Sequence, residues 1–434
     1  VLSYVYDSGR ADLDALAQEA AALFLPVNGL DPTTFTSVAV LERDLVAFTR
    51  DALHGGSEVV GSVTSGGTES CLLAVKSARD RLTSTGSGSG RSLLLMPTTA
   101  HPAFRKAVAY LDMGIVEVPV ESSGAVDPDR FLATLDEHAD VALAVVSAPS
   151  YPTGALDPVT DIAAGCDARG VDLHVDACIG GMVLPWWPDP LPPWDFSVPG
   201  VTSMSADLHK YGFAPKGASV VLYRGRERHR AQYFATASWP GYPVVNPTVL
   251  GSRSATALAA AWAVTQALGV GGYAELVGRT AEAARQLATR LERVDGLAIT
   301  GSPAGPLLAV TAAGEGGVDP FLLVDEVRAR GFLLQAQPAY AQPDGTLLLR
   351  SAHATLTPVS LQVVDALGDA IAEAADVVRG IEPPTPDPAL VARVAANGLP
   401  ERLAGVMATL EAMPRDQAPA VLTHLLASVI DPDR

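Results

Sequence analysis

The run Ser205-Ala206-Asp207-Leu208-His209-Lys210-Tyr211-Gly212-Phe213-Ala214-Pro215-Lys216-Gly217 carries two of the four lysines in a 434-residue chain that has 26 arginines. Lysine offers an amine that can lose its proton and attack a carbonyl, which arginine cannot do. Short apolar runs at 201–204 and 218–223 flank it, so Lys210 is expected on a loop between two buried strands. Desolvation lowers a lysine's pKa, and a depressed, reactive amine is therefore expected here rather than a surface charge. Upstream, Val171-Asp172-Leu173-His174-Val175-Asp176 reads as a strand running into Ala177-Cys178-Ile179-Gly180-Gly181. In open α/β sheets ligands gather at the carboxyl ends of strands, and Asp176 falls there. A carboxylate in an apolar run needs a cationic partner. His174 shares its face by the two-residue period, and a hydrogen-bonded core histidine is the plainer account of that residue.

A third group precedes these. Val59 to Thr64 reads as a strand, Ser65-Gly66-Gly67-Thr68-Glu69 as a tight turn, and Ser70 onward as an amphipathic helix. Glycines that let the backbone approach, a threonine hydroxyl and the free N–H groups of a helix start form a phosphate cradle. An ordinary helix capped by Ser65 or Thr68 would look the same. The run matches neither the Walker lysine loop nor the dinucleotide fingerprint. His101-Pro102 opens a further helix.

These residues need elements to hold them. Strands are expected at 92–96, 115–120, 141–147, 171–176, 201–204 and 218–223. Helices at 103–111, 129–138 and 158–168 alternate with them, which indicates a mostly parallel sheet covered on both faces. Helical periodicity at 12–24 and 35–53 suggests an arm of the kind that wraps a partner subunit. Residues 83–90, rich in Ser and Gly, read as a surface loop. Beyond the lysine loop, helices at 255–268, 273–294, 320–330 and 358–378 alternate with strands at 297–300, 307–310 and 346–351. Helical character follows from 389 to about 430. The expected division is a helical arm at 1–54, a large α/β domain at 55–268 and a smaller α+β domain with a helical tail at 269–434.

A net charge of −18 argues against nucleic acid, whose phosphates need a basic face. Cys71, Cys166 and Cys178 have no metal-ligand spacing, and three cysteines fit a reducing, cytoplasmic compartment. No apolar run reaches membrane-spanning length. A phosphate cradle, a histidine opening a helix, a strand-end carboxylate and a scarce lysine share one explanation. Pyridoxal phosphate needs a cradle for its phosphate, a flat group against its ring, a carboxylate for its ring nitrogen and an amine for its aldehyde. A nicotinamide enzyme would show the dinucleotide fingerprint, and a metallohydrolase clustered histidines and carboxylates.

The segments 63–80, 174–181, 203–223 and 247–253, in that order and at those intervals, resemble the sphingosine-1-phosphate lyase family. That family lies in the group II decarboxylase branch of fold-type I pyridoxal-phosphate enzymes. The likeness runs from about residue 4 into the C-terminal helices. It implies a fold with a mostly parallel central sheet in a large domain, a smaller α+β domain, and a soluble homodimer with active sites at the subunit interface. It implies that Lys210 links to the cofactor, Asp176 pairs with its ring nitrogen and His101 stacks on its ring. Gly67, Thr68 and His209 would hold the cofactor phosphate, with Ser252 reaching across from the other subunit. Tyr6 and Lys216 fall where the family binds the substrate's phosphate. The activity implied is retro-aldol cleavage of a phosphorylated sphingoid base or related amino alcohol. Amino-acid α-decarboxylation on the same scaffold is the alternative, with Arg253 or His174 as carboxylate anchors. One departure stands out. Leu30-Asp31-Pro32-Thr33 replaces the family's Leu-His-Pro-Asp, and an aspartate facing a phosphate dianion would cost on the order of a few kcal/mol. Asp31 would then bind a cationic substrate group, or merely start the next helix.

Overall fold

The computed structural model describes the whole chain except Tyr4, 85–91, Glu315, Leu399, Asp433 and Arg434. Helices α1 (Ala11–Leu23) and α2 (Thr36–Ala52) precede strand β1 (Val59–Thr64) and helix α3 (Gly67–Ser84). There follow β2 (Leu93–Pro97), α4 (Pro102–Leu111), β3 (Gly114–Val118), α5 (Pro128–Asp136), β4 (Val141–Ser147), α6 (Val159–Ala168), β5 (Asp172–Asp176), β6 (Val201–Ala206) and β7 (Ser219–Arg224). These seven strands form one sheet in the order β1-β7-β6-β5-β4-β2-β3. β7 is antiparallel to β1 and β6, and the other neighbours are parallel. Composition explains the layering. β4 is Val-Ala-Leu-Ala-Val-Val-Ser and is buried at every position, because helices cover both faces of the sheet. Leu143, Val145 and Val146 each gain roughly 1.5–3 kcal/mol from that burial. α3 and α4 pack together on one side, while α1 and α2 pack on the long helix described next.

After β7 come α7 (Arg226–Ala231) and the hairpin of β8 (Phe234–Thr236) and β9 (Val244–Asn246). Helix α8 (Thr256–Leu291) runs 36 residues but kinks at Gly269, with φ 53° and ψ −171°. The two helices expected at 255–268 and 273–294 are thus one element bent at a glycine, which reaches this backbone conformation without a Cβ clash. Then follow β10 (Leu297–Ile299), β11 (Leu307–Ala312), α9 (Pro320–Ala329), β12 (Gln335–Gln337), β13 (Tyr340–Ala341), β14 (Leu347–Leu348), β15 (Ser351–Thr355) and α10 (Val364–Val378). β10, β11, β15 and β12 form an antiparallel sheet in that order, and β13 pairs with β14. The strand expected at 346–351 is displaced. Leu347 and Leu349 are 55% and 60% exposed, so the apolar run marks a surface hairpin. The interior strand is Ser-Ala-His-Ala-Thr at 351–355, buried throughout and too polar to announce itself.

The helical stretch expected from 389 divides into α11 (Pro388–Asn397), α12 (Ala404–Ala412) and α13 (Ala418–Val429). Glu411 of α12 pairs with Arg350 and accepts from the Ala339 N–H at 2.6 Å, which docks this tail beside the hairpin. The Ser/Gly-rich loop expected at 83–90 lies, from residue 85 on, outside the described residues. At the other end, Leu2 N–H donates to the Leu333 carbonyl and Leu2 O accepts from Thr355 N–H, both at 2.9 Å. Leu2 is therefore held between the chain entering β12 and the end of β15. No described helix is long and apolar enough to cross a membrane.

Candidate active site

A cavity of about 1070 Å³ opens at the carboxyl ends of the parallel strands. Tyr6, Gly67, Thr68, His101, Asp176, His209 and Lys210 all line it. Each is delivered by a different local device. Gly67 and Thr68 are the first residues of α3, and helix geometry leaves their N–H groups without an intrahelical acceptor. Glu69 reaches back to accept from Ser65 N–H and Ser65 Oγ–H, both at 2.7 Å, so the turn is fixed without using the helix's leading amides. His101 caps α4, its Nδ1 accepting from Ala103 N–H at 3.2 Å. Burial pushes its pKa down, opposed by the charge of Asp176. The ring is thus neutral at pH 7 and presents a flat face.

The lysine loop is built around Asp207, which the sequence reasoning did not single out. Lys210 Nζ lies 2.9 Å from Asp207 Oδ2, and His209 Nε2 lies 3.5 Å from the same oxygen. Asp207 Oδ1 is buried without a hydrogen-bond partner. Burial raises the Asp207 pKa, but Lys210 and His209 pull it below the ordinary carboxylate range. Lys210 shows the converse. Burial pushes its amine down, yet the charge of Asp207 outweighs burial and holds it above the usual lysine range. The depressed amine expected from desolvation alone is therefore not what the folded chain presents. An ion pair three residues away in sequence reverses the sign. His209 Nδ1 accepts from the N–H groups of Gly217 and Ala218, which fixes the ring toward the cavity.

The cradle fits a phosphate-bearing cofactor. A Cβ on Gly67 would sit 2.7 Å from both Asp207 Oδ2 and Cys178 Sγ, and one on Gly66 would sit 3.2 Å from His209 Cε1. Only glycine lets the turn close onto these side chains and leave its amides facing the cavity. Asp176, at the end of β5, accepts from Cys178 N–H at 3.1 Å and Ser205 Oγ–H at 3.2 Å, both at Oδ1. That leaves Oδ2 for the cavity that Asp176 lines. Lys210, Asp176, His101 and the α3 amides thus match amine, carboxylate, flat face and anion site on one enclosure.

The remaining expected residues divide. Tyr6 is brought in by the amino-terminal segment, its ring edge-on to Tyr211 at 5.1 Å between centroids. Burial raises its hydroxyl to about 12, moderated by Lys210. Lys216 Nζ lies 4.7 Å from the centre of the Tyr6 ring and donates to the His209 carbonyl at 3.1 Å. Asp31, Ser252 and Arg253 lie outside the cavity within the chain. Asp31 is exposed, and its carboxylate accepts from Thr33 and Thr34 side chains and amides, so it fixes the turn before α2. Ser252 Oγ accepts from Asn28 Nδ2 at 3.3 Å. The Arg253 guanidinium donates to Gly29 O, Val63 O and Glu42, which ties the arm to β1 and engages three of its five N–H groups. His174 is fully buried between Ser203 and Ser205, as the core account of it expects, and does not reach the cavity. Missed residues include Tyr151, Gln335 and Gln337 on the far wall, which carry no motif of their own.

Fold and site together define a fold-type I pyridoxal-phosphate enzyme. The pyridoxal-dependent decarboxylase conserved domain matches residues 32–308. The chain is 37% identical over 341 residues to the sphingosine-1-phosphate lyase of Oryza sativa, covering 77% of this chain and 62% of that one. It is 33% identical over 396 residues to the Arabidopsis thaliana lyase, covering 89% and 70%. Among solved structures, the Burkholderia pseudomallei sphingosine-1-phosphate lyase superposes with a TM-score of 0.79 at 31% identity, covering 86% of this chain and 85% of that one. A Lactobacillus brevis glutamate decarboxylase shares the fold, with a TM-score of 0.73 at 21% identity, covering 83% and 85%. The chain belongs to the pyridoxal-dependent decarboxylase family, in its sphingosine-1-phosphate lyase group. It spans 62% of the length of the rice relative. Pyridoxal 5′-phosphate is the cofactor of this family, and the residues above fit it.

Proposed function

We propose that the chain is a carbon–carbon lyase that cleaves a long-chain β-hydroxy amine bearing a phosphate, giving an aldehyde and a phosphorylated amino alcohol. The cofactor, when bound, supplies an electron sink for the bond that breaks. Lys210 would provide the amine that joins it, Asp176 the carboxylate for its ring nitrogen, and His101 a flat face for its ring. The α3 amides of Gly67 and Thr68, with His209, hold its phosphate. Tyr6 on the cavity wall, with Lys216 against its ring from outside the lining, would bind the substrate's phosphate. The observation that carries the reading is the mixed lining of the cavity. Charged groups of the site share the lining with Ile299, Pro338, Tyr340 and Leu347 to Leu349, apolar side chains interspersed with Thr300, Thr311, Gln335 and Gln337 that give an alkyl chain surface to lie against. Such a surface has little use for a small amino acid.

The decarboxylase alternative rests on the shared fold and is weakened by the engaged guanidinium of Arg253. We read the assembly as a homodimer, with Ser252 and the arm near Asp31 facing the partner's cavity, and the compartment as cytoplasmic. The test is incubation of the purified holoenzyme with phosphorylated sphingoid base and, separately, a panel of amino acids. Aldehyde from the first supports the lyase. Carbon dioxide from the second with no aldehyde from the first would overturn it. Light scattering at micromolar concentration checks the dimer.

A further inference from the structure

Behind Asp176 the two central strands carry a row of polar side chains with no part in the chemistry above. The parallel register of β5 on β6 sets His174 beside Ser203 and Asp176 beside Ser205. His174 and Ser205 have no exposed surface, so their hydrogen bonds are internal. His174 Nδ1 is 2.9 Å from Ser203 Oγ, and Nε2 is 3.2 Å from Ser205 Oγ. Ser205 Oγ donates in turn to Asp176 Oδ1 at 3.2 Å. The Cys178 thiol also points at Ser205 Oγ, at 3.2 Å.

The protons in this row are determined. A carboxylate only accepts, so the single hydroxyl proton of Ser205 goes to Asp176. Ser205 Oγ is then an acceptor toward His174, which requires the histidine proton on Nε2. Complete burial depresses the His174 pKa to about 4, so the ring is neutral at pH 7 and Nδ1 is bare. That nitrogen accepts the Ser203 hydroxyl proton. Every donor in the row points toward Asp176, and each polarises the next.

We propose that His174 and Ser205 are positioning residues that hold Asp176 as an oriented carboxylate against the cofactor's ring nitrogen. The proposal rests on the reading that Asp176 partners that nitrogen. Cys178 N–H and Ser205 Oγ–H together occupy Oδ1, and the His174 dipole strengthens the second donor. Other ionisable groups facing Asp176 are His101, Cys71 and Cys178. None of them changes in the variants below.

Holoenzyme loaded with ¹⁵N-labelled pyridoxal phosphate reports protonation of the ring nitrogen by its chemical shift, and ¹⁵N-labelled histidine reports the tautomer of His174. In the unaltered protein His174 is expected to stay neutral with its proton on Nε2 from about pH 6 to 9. In Ser205→Ala and His174→Leu the protonation midpoint of the ring nitrogen falls by about one pH unit or more, and kcat falls about tenfold with KM little changed. His174→Gln, whose amide can donate to Ser205, recovers most of both. Asp176→Asn separates the two claims. If the ring nitrogen stays protonated in that variant, the reading of Asp176 fails. If it deprotonates there while Ser205→Ala and His174→Leu leave the midpoint unmoved, only the positioning role is overturned. A charged His174, or one protonated on Nδ1, overturns it in the unaltered protein, whatever the variants' folding.

Discussion

Asp207 sets the charge state of Lys210, and its removal is the sharpest perturbation of the site. The two groups are 2.9 Å apart, with 1% and 19% of their side chains exposed. At an effective dielectric near 20, unit charges at that distance attract by about 6 kcal/mol. That corresponds to about four pKa units, enough to outweigh burial. Asp207→Asn keeps the shape and removes the main charge opposing burial, leaving only the weaker pull of Cys178 and Tyr6. Allowing for relaxation and water entry, the Lys210 pKa should fall by on the order of two units. Only a neutral amine condenses with the cofactor aldehyde, and each unit raises the neutral fraction about tenfold while pH lies below the pKa. Rapid mixing of apoprotein with pyridoxal phosphate, followed by visible absorbance from about pH 6 to 10, reads this directly. The variant's rate profile should rise about two pH units earlier than the unaltered protein's. An unshifted profile in a folded variant would refute the claim. The same pair has a stability signature. Asp207 is depressed, so its contribution is present above its unfolded value and lost as pH falls through the folded one. Lys210 is raised, so its contribution is present below its unfolded value and lost as pH rises through the folded one. Both hold at neutral pH, where Asp207→Asn should cost about 3–5 kcal/mol in urea unfolding, and the gap should narrow in acid.

Further outcomes are expected. Lys210→Ala should remove the visible absorption of the lysine-bound cofactor, and a retained band would exclude Lys210 as its site. Gly67→Ala forces a methyl into Cys178 Sγ and Asp207 Oδ2, and should cost about 1–3 kcal/mol of stability together with most cofactor affinity, read by equilibrium dialysis. Asp31→Ala removes the acceptor for Thr33 and Thr34 and should slightly lower the urea midpoint without changing the cofactor spectrum. Arg253→Met strips the cation from Glu42, and urea unfolding should show a loss of about 2–4 kcal/mol with the amino-acid substrate profile unaltered.

Much of the fold was legible because its period was strong. β4 is apolar up to its last residue, β5 and β6 set buried Leu173, Val175, Val201 and Met204 between polar residues, and their bounds fall within a residue or two of the expected ones. Gly66, Gly67, Asp176 and Lys210 were legible because each residue type has few other uses in its setting. What escaped depended on distant partners. Ser351-Ala-His-Ala-Thr reads as nothing in particular, yet β11 and β12 make it an interior strand. Arg253 looks like an anion ligand until Gly29, Val63 and Glu42, far away in sequence, engage it. The sign of the Lys210 shift could have been guessed from Asp207 at three residues' remove, but only a turn of the observed shape brings the two charges together. Asp31 reads from the sequence as a substitution bearing on specificity, and within the chain both its carboxylate oxygens serve its own turn.

The amino-terminal segment has a consequence for how the enzyme is made. Strands β1 to β7, with the cradle and Lys210, are all synthesised by residue 224, although the lysine loop also leans on Tyr273 and Leu356. Tyr6 cannot be seated then, because Leu2 is pinned by Leu333 and Thr355, more than 330 positions further on. Contacts of such separation form late. A ribosome-bound or truncated chain ending before 333 would therefore hold cofactor-binding parts without the wall that carries Tyr6.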